Sequence, residues 1–161
     1  MKRCVLILAI VFLLIACTVP DDPLAQRTVD EVIIGNLESE FEHDFDGVNF
    51  RSGFHNNGNW RDARGGYYQY TLKTGKNADL ALWVRYWGND QGDRIFDIYI
   101  DEKHLAGESI GGKWNEATFF NVEYPIPVSM IKGKKSVDVK FEAIGDHVAG
   151  GIYGLRMLKN K

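Results

Sequence analysis

The stretch of sequence that decides the fold is Leu80–Trp87, which reads LALWVRYW. Every second residue from Leu80 to Tyr86 is large and apolar, and the positions between them include Trp83 and Arg85. A period of two places the two sets on opposite faces of an extended chain. The stretch therefore predicts a β-strand that turns one face towards a core.

The same alternation continues on both sides of this strand. It recurs at 96–101 and 136–141, and further strands are predicted at about 31–35, 48–54, 66–73, 105–110, 117–124 and 150–158. Clusters of Gly, Asn and Asp separate these segments, as turns require. No window of a dozen residues carries a helical stripe. The sequence therefore predicts an all-β protein, an antiparallel β-sandwich of the jelly-roll, galactose-binding-domain-like class.

The amino terminus has the pattern of an export signal. Lys2 and Arg3 precede the uncharged run Val5–Ile15, which is too short to span a bilayer, and LIAC at 14–17 resembles a bacterial lipobox. The interpretation is a lipoprotein signal peptide at 1–16, a lipidated Cys17 with a flexible tether over 17–28, and a β-sandwich domain over 29–161. A plain secretory signal is the alternative.

Removal of this leader has consequences for partners and location. Cys4 leaves with the leader and Cys17 accepts the lipid, so the domain has no free thiol, disulfide or Cys metal site. The charge balance becomes 17 basic against 22 acidic residues, because Lys2 and Arg3 are lost. This acidity argues against nucleic acid as a partner. The expected location is the bacterial cell envelope, lipid-anchored to a membrane, with the outer membrane favoured and the domain facing either the periplasm or the cell surface.

The sequence WRDARGGYYQY at 60–70 carries the strongest chemical signal. Trp60 supplies a flat stacking face, Arg61 a planar fork of donors, and Asp62 an acceptor, which together suit a sugar. Gly65 and Gly66 allow a sharp turn or a close approach of the backbone. We expect a loop that enters a strand, with an aromatic residue in the core beside a surface Arg–Asp pair as the alternative.

Other aromatic and basic side chains extend this candidate site. Trp83 and Trp87 share the outward face of their strand, which is either covered or forms a platform for a sugar. Trp114 follows a Gly-Gly pair in a predicted loop. The residues expected to bind ligand are Glu40, His43, Trp60, Arg61, Asp62, Arg64, Tyr67, Trp87 and Trp114.

Motifs across residues 29–159 extend the pattern: VDEV at 29–32, Glu40 and His43, WRDARGG at 60–66, YWG at 86–88, RIFDI at 94–98, YPIP at 124–127 and AGGIYGLR at 149–156. Together they resemble the C-terminal β-sandwich of β-L-arabinofuranosidases from glycoside hydrolase families 127 and 146, termed their substrate-binding domain. In those enzymes a separate helical barrel with a Cys/Glu zinc site and a catalytic Cys performs the chemistry. The resemblance implies a free-standing accessory domain without that barrel.

Catalytic and metal chemistry find less support. Glycosidases need two carboxylates across a sugar, whereas Glu38, Glu40 and Glu42 would share one solvated face of a strand. Glu40 and His43 are favoured as a structural or ligand-facing pair over a zinc site. Asp90 and Asp93 could bind a structural calcium ion, although a solvated turn is favoured and no cofactor is expected.

The function favoured by these observations is non-catalytic binding of carbohydrate, with arabinose-containing plant glycans as the expected ligands. One alternative is a protein-interaction or structural module of a surface complex, partnered by a glycan-degrading enzyme or an uptake system. The second alternative is a glycoside hydrolase.

Overall fold

The computed structural model describes residues 22–76 and 79–160, which form nine strands and two short helices. In chain order they are β1 (Thr28–Val32), α1 (Leu37–Glu42), β2 (Asp46–His55), β3 (Gly58–Lys73), β4 (Leu80–Trp87), β5 (Ile95–Ile100), β6 (Lys103–Ser109), β7 (Phe119–Ile126), α2 (Val128–Ile131), β8 (Ser136–Ala143) and β9 (Val148–Lys159). Every strand pairing is antiparallel. The predicted all-β sandwich is confirmed.

The strands form two layers joined through β3. The order is β6-β5-β8-β3-β9-β4-β7, with β1 beside β9 and β2 beside β3. Residues 61–64 of β3 pair with β9, whereas residues 67–73 pair with β8. The change occurs at Gly65, whose φ is +55°, and Gly66, where a Cβ would lie 2.1 Å from the Val48 carbonyl oxygen. The two glycines therefore let one strand bend from one layer into the other.

The core lies between the layers and is rich in aromatic rings. Tyr86 of β4 meets Phe96 of β5 with ring centroids 6.4 Å apart, and Tyr68 of β3 stacks on Phe141 of β8 at 5.1 Å. Burying side chains of this size stabilises the fold by roughly 1.5–3 kcal/mol each. The predicted inward face of β4 is therefore a core face, as its alternation indicated.

The outward face of β4 is also covered at Trp83, which is only 5% exposed. The guanidinium groups of Arg85 and Arg156 lie 5.2 and 5.4 Å from the Trp83 ring centroid. These cation–π contacts close the ring off from solvent. Of the two possibilities left open for this face, the covered one holds at Trp83.

Two local predictions were wrong. Residues 37–42 form helix α1 rather than a loop or strand, because the Asn36 side chain caps the helix by accepting from the Ser39 amide at 2.9 Å. The helix buries Glu40 at 3% exposure instead of leaving it on a solvated face. Residues 60–66 lie within β3 rather than in a loop, because Asn56 and Asn57 adopt positive φ and turn β2 directly into β3.

The last part of the predicted tether is bound to the domain. The Arg27 guanidinium donates to both carboxylate oxygens of Glu123 at 2.9 and 2.7 Å, and Asp22 accepts from Arg156 at 2.5 Å. Residues 22–28, which belong to the predicted tether, therefore contact the domain. The signal peptide at 1–16 and Cys17 lie outside the described residues. Within 22–76 and 79–160, no helix is long and apolar enough to cross a membrane.

Candidate functional site

Strand β3 sends neighbouring residues of the predicted motif in opposite directions. Side chains alternate along a strand, so Trp60 and Asp62 share one side and Arg61 takes the other. Asp62 is 1% exposed and Arg61 6% exposed. Both charges are therefore buried, and each must find partners on its own side of the strand.

Arg61 meets the residues of α1. Its Nε donates to Glu40 at 3.1 Å, and its Nη2 donates to the second carboxylate oxygen. The Tyr70 hydroxyl and the Gly35 amide also donate to Glu40, each at 3.0 Å. Burial disfavours the charge on Arg61, but Glu40 outweighs this effect and raises the Arg61 pKa. Both carboxylate oxygens of Glu40 are hydrogen-bonded, and the salt bridge is buried, so the group acts as a structural cluster.

Asp62 is held on the opposite side by two arginines. Arg51 donates to both Asp62 oxygens at 2.8 Å, and Arg94 Nη1 donates to Asp62 at 3.3 Å and to the Gly150 carbonyl at 3.1 Å. This bidentate pairing fixes the carboxylate. Asp62 therefore positions Arg94 rather than meeting a ligand itself.

Beside this pair opens a cavity of about 390 Å³, which we call the aromatic cleft. Its lining combines aromatic and polar side chains with one glycine: Phe54, His55, Trp60, Trp87, Tyr153, Asn89, Asp90, Arg94 and Gly151. These residues come from the β2–β3 hairpin, the end of β4, the loop that follows β4, and β9. The cleft is thus assembled from segments far apart in sequence.

The aromatic walls of the cleft are packed from behind. Phe119 lies edge-on to both Trp87 and Tyr153, with ring centroids 5.1 and 5.0 Å away. Trp60 is seated against Gly53, where a Cβ would come within 2.5 Å of its indole ring. Rings fixed in this way can stack on a ligand without losing further freedom.

The floor of the cleft carries unsatisfied polar atoms. Among the described residues, three buried side-chain atoms lack a hydrogen-bond partner: Asp90 Oδ2, Arg94 Nε and the Tyr68 hydroxyl. The two cleft residues face each other at 3.5 Å, too far for a good hydrogen bond. The Tyr68 hydroxyl lies against Gly150, next to cleft residue Gly151. Leaving such atoms without a hydrogen bond costs roughly 1–3 kcal/mol each. Because these atoms are themselves buried, a ligand in the cleft would meet the other, exposed atoms of Asp90 and Arg94.

Burial also tunes the acids of the cleft. Burial raises the pKa of Asp90, although the neighbouring Arg94 opposes the shift. Burial, reinforced by the Asp90 carboxylate, raises the pKa of Tyr153 to about 12. At neutral pH the Tyr153 hydroxyl is therefore protonated and able to donate.

The cleft includes two of the residues predicted to bind ligand, Trp60 and Trp87. Glu40 and Arg61 form the structural cluster on the other side of β3. His43 is buried at the end of α1, where Nδ1 contacts the Ser39 carbonyl oxygen at 2.6 Å and Nε2 lies 3.4 Å from Asp30.

The remaining predicted residues lie elsewhere. Trp114 stacks on Phe120 at 4.8 Å, so it packs against the core rather than standing in an open loop. Tyr67 donates to Asp46 at 2.8 Å, and exposed Arg64 makes only a 3.4 Å hydrogen bond to the Asp146 carbonyl.

The two residues considered as calcium ligands, Asp90 and Asp93, lie in different surroundings. Asp90 lines the cleft, whereas Asp93 is exposed in the loop before β5. Over residues 22–76 and 79–160, no three His, Cys, Asp or Glu side chains come together around a possible metal position.

His55, Asn89, Arg94 and Tyr153 were not among the predicted ligand residues, yet they line the cleft. Sequence offered a signal for two of them. Tyr153 lies inside the glycine-rich AGGIYGLR motif, and His55 directly precedes the Asn-Asn-Gly turn of the hairpin. Such turn-flanking residues are where binding residues concentrate on a β-sandwich.

The fold and cleft define a jelly-roll β-sandwich with one aromatic, polar cavity among its loops and strand ends. The sequence profile of a family of unknown function, DUF6805, matches residues 23–158, and the chain belongs to that family. No curated protein matches the chain.

Several solved structures share the fold. A family 35 carbohydrate-binding module from Clostridium thermocellum has a TM-score of 0.53 at 14% identity, over 73% of this chain and 93% of that module. The C-terminal family 6 module of a laminarinase from Zobellia galactanivorans has a TM-score of 0.52 at 11% identity, over 71% of this chain and 91% of that module. The ANX1 ectodomain from Arabidopsis thaliana has a TM-score of 0.53 at 10% identity, over 74% of this chain and 35% of that ectodomain. At these identities the likeness establishes the fold.

Proposed function

We propose that this protein is a non-catalytic carbohydrate-binding module whose ligand lies in the aromatic cleft. The observation that carries the proposal is the combination of fixed aromatic walls with the ion-paired Asp90 and Arg94 side chains, which remain 13% and 20% exposed on the floor. A sugar has apolar C–H faces that stack on Trp87 or Tyr153, and hydroxyl groups that both donate and accept. Asp90 accepts from one hydroxyl, while Arg94 and Tyr153 donate to others.

The expected affinity is modest. The cleft is a shallow site of about 390 Å³ and offers few polar partners. Dissociation constants in the micromolar to millimolar range correspond to roughly −8 to −4 kcal/mol. Weak single-site binding of this kind suits a protein that works beside other binding or degrading proteins on one polymer.

Two further considerations support the choice of a sugar. Several solved structures that share the fold are named carbohydrate-binding modules. The motifs at 60–66 and 149–156 resemble a substrate-binding domain of β-L-arabinofuranosidases, and both contribute residues to the cleft. We therefore infer arabinose-containing plant glycans as the ligands, and this finer assignment remains a prediction.

We further propose that Cys17 carries a lipid anchor that holds the domain at the bacterial cell envelope. The lipobox-like LIAC at 14–17 supports this location. Asp22 follows Cys17 by only five positions, which span at most about 18 Å of extended chain. The cleft would therefore work close to the membrane surface, near a glycan-degrading enzyme or an uptake complex.

Isothermal titration calorimetry of the full chain with arabinan, arabinogalactan and pectic fragments tests the sugar site. We expect binding to at least one glycan, and a loss of about tenfold or more for Trp87→Ala, because a stacking face is removed. Tyr67→Ala is the matched control, since it removes an aromatic ring outside the cleft. Folded protein that binds none of these glycans, or equal losses in both variants, would refute the proposal.

A further inference from the structure

A second depression lies across the β2–β3 hairpin from the aromatic cleft. It has a volume of about 630 Å³ and lies between α1 and the hairpin. Its wall and rim include large apolar side chains that are exposed to solvent: Leu37 at 82%, Phe41 at 82%, Phe54 at 69% and Phe50 at 43%. We call it the apolar groove. Contiguous exposure of this kind marks interaction sites on soluble domains.

The floor of the apolar groove differs from that of the aromatic cleft. Its charged residues are Glu40 and Arg61. Both Glu40 oxygens and the Nε and Nη2 of Arg61 already take part in hydrogen bonds among Glu40, Arg61, Tyr70 and Gly35. The Arg61 guanidinium also lies over the Phe45 ring at 4.8 Å. A sugar hydroxyl would therefore compete with existing partners for the Glu40 carboxylate. The groove therefore favours an apolar occupant.

The helix beside the groove carries a single sign of charge. Exposed Glu38 and Glu42 follow Leu37 and Phe41 by one position each, so an acidic stripe runs along α1 next to the apolar one. Residues 37–46, which read LESEFEHDFD, contain no Lys or Arg, and Asp44 is exposed as well. The charged partner of Arg61 is Glu40, so Arg61 does not neutralise this rim.

We propose that the apolar groove is a docking site for a segment of another protein that presents apolar side chains flanked by Lys or Arg. The apolar side chains displace water from Leu37, Phe41 and Phe50, and the basic residues reach over α1 to pair with Glu38 and Glu42 on its neighbouring exposed stripe. The acidic rim disfavours the anionic surface of a bilayer. Phe54 and Trp60 line both cavities, so a docked protein would lie directly beside the sugar site.

Fluorescence anisotropy of the full chain tests this site with a short labelled peptide built from Leu, Phe and Lys. A second peptide, in which Glu replaces Lys, is the charge control. We expect the basic peptide to bind about tenfold more tightly than the acidic one, and Phe41→Ser to weaken it about tenfold. Ile144→Ser is the matched control, because Ile144 is exposed to 46% outside the groove.

Charge reversal sharpens the test. The double variant Glu38→Lys, Glu42→Lys should prefer the acidic peptide, and sugar binding in the aromatic cleft should stay within about twofold of the original chain, because neither residue lines that cleft. Four outcomes would overturn the proposal: equal binding of the two peptides, no binding of either, tighter binding to phosphatidylglycerol vesicles than to the basic peptide, or a dimer of this chain that Phe41→Ser dissociates.

Discussion

Two arginine–carboxylate pairs flank strand β3, and they differ in how completely they are satisfied. Arg61 and Glu40 lie on one side and share four hydrogen bonds with each other, Tyr70 and Gly35. Arg94 and Asp90 lie on the other side, 3.5 Å apart, and each keeps an unpartnered atom. The same residue types thus form a closed cluster in one place and an open floor in the other.

The comparison shows that burial of a charge does not by itself indicate a binding residue. The Arg61–Glu40 cluster fixes α1 to the sheet, because separating the pair would strand a charge in the interior. The Arg94–Asp90 pair leaves hydrogen-bonding capacity under an aromatic opening. Unsatisfied polar atoms, more than charge, distinguish the candidate site from the structural one.

The largest effect is expected from Glu40→Gln. This change keeps the shape but leaves Arg61 buried without a counter-charge, which typically costs about 3–5 kcal/mol. Urea unfolding of the full chain measures the free energy of unfolding. Glu38→Gln, on the exposed side of the same helix, should stay within about 0.5 kcal/mol. A loss in Glu40→Gln no larger than in this control would contradict a structural role for the cluster.

Unlike Glu40→Gln, Asp90→Asn should weaken glycan binding without lowering the free energy of unfolding. Glycan affinity should fall about tenfold, since hydrogen bonds to a charged group contribute about 1.5–3 kcal/mol. The free energy of unfolding should not fall, because burial disfavours the ionised carboxylate and Arg94 keeps Asp62 and the Gly150 carbonyl as partners. Calorimetry and urea unfolding on the same samples separate the two effects. Parallel losses in affinity and stability would make Asp90 structural.

The pH dependence should follow from the raised pKa of Asp90. The pKa of Asp90 is higher in the folded chain than in the unfolded one, so ionisation of Asp90 destabilises the fold. This penalty is fully present above the folded-state pKa, and it is lost as the pH falls from the folded-state pKa to the unfolded-state pKa. Glycan affinity should instead decline over the same window, because the carboxylate loses its charge. Titration of affinity against pH checks this, and Asp90→Asn should flatten the profile. An unchanged slope in that variant would assign the titration to another group.

The smallest effect is expected from Arg64→Ala. Arg64 belongs to the predicted ligand residues, but it is exposed and makes one long hydrogen bond to the Asp146 carbonyl. Both glycan affinity and the free energy of unfolding should change by less than about 0.5 kcal/mol. A loss of affinity comparable with that of Trp87→Ala would extend the site beyond the cleft and weaken the contrast between the two sides of β3.

Much of the fold followed from local pattern. The alternation in Leu80–Trp87 predicted a strand with a buried face, and the adjacent Gly65 and Gly66 predicted a close approach or a sharp turn. Helix α1 was not predicted, because its six residues are too few to establish a helical period. Its Glu residues also alternate with Ser and Phe, as the residues of a strand do. Its cap, Asn36, was the one local sign.

The candidate site was less predictable, because its parts meet only through tertiary structure. Arg61 and Asp62 are neighbours in sequence, yet the strand directs their side chains to opposite sides, where each has its own partners. Tyr153 reaches Trp87 only because β9 pairs with β4. The partner of a buried charge depends on such pairings, so sequence could name the residue types of the site but not its members.

The bend of β3 at its glycine pair has a consequence for motion. Because one continuous strand takes part in both layers, the segment that carries Trp60 cannot detach from β9 without straining the pairing of residues 67–73 with β8. Local opening of the cleft is therefore coupled to loosening of the whole sandwich. Amide protons of residues 61–64 should exchange with solvent only as fast as the entire domain unfolds, and the cleft should stay rigid on every faster timescale.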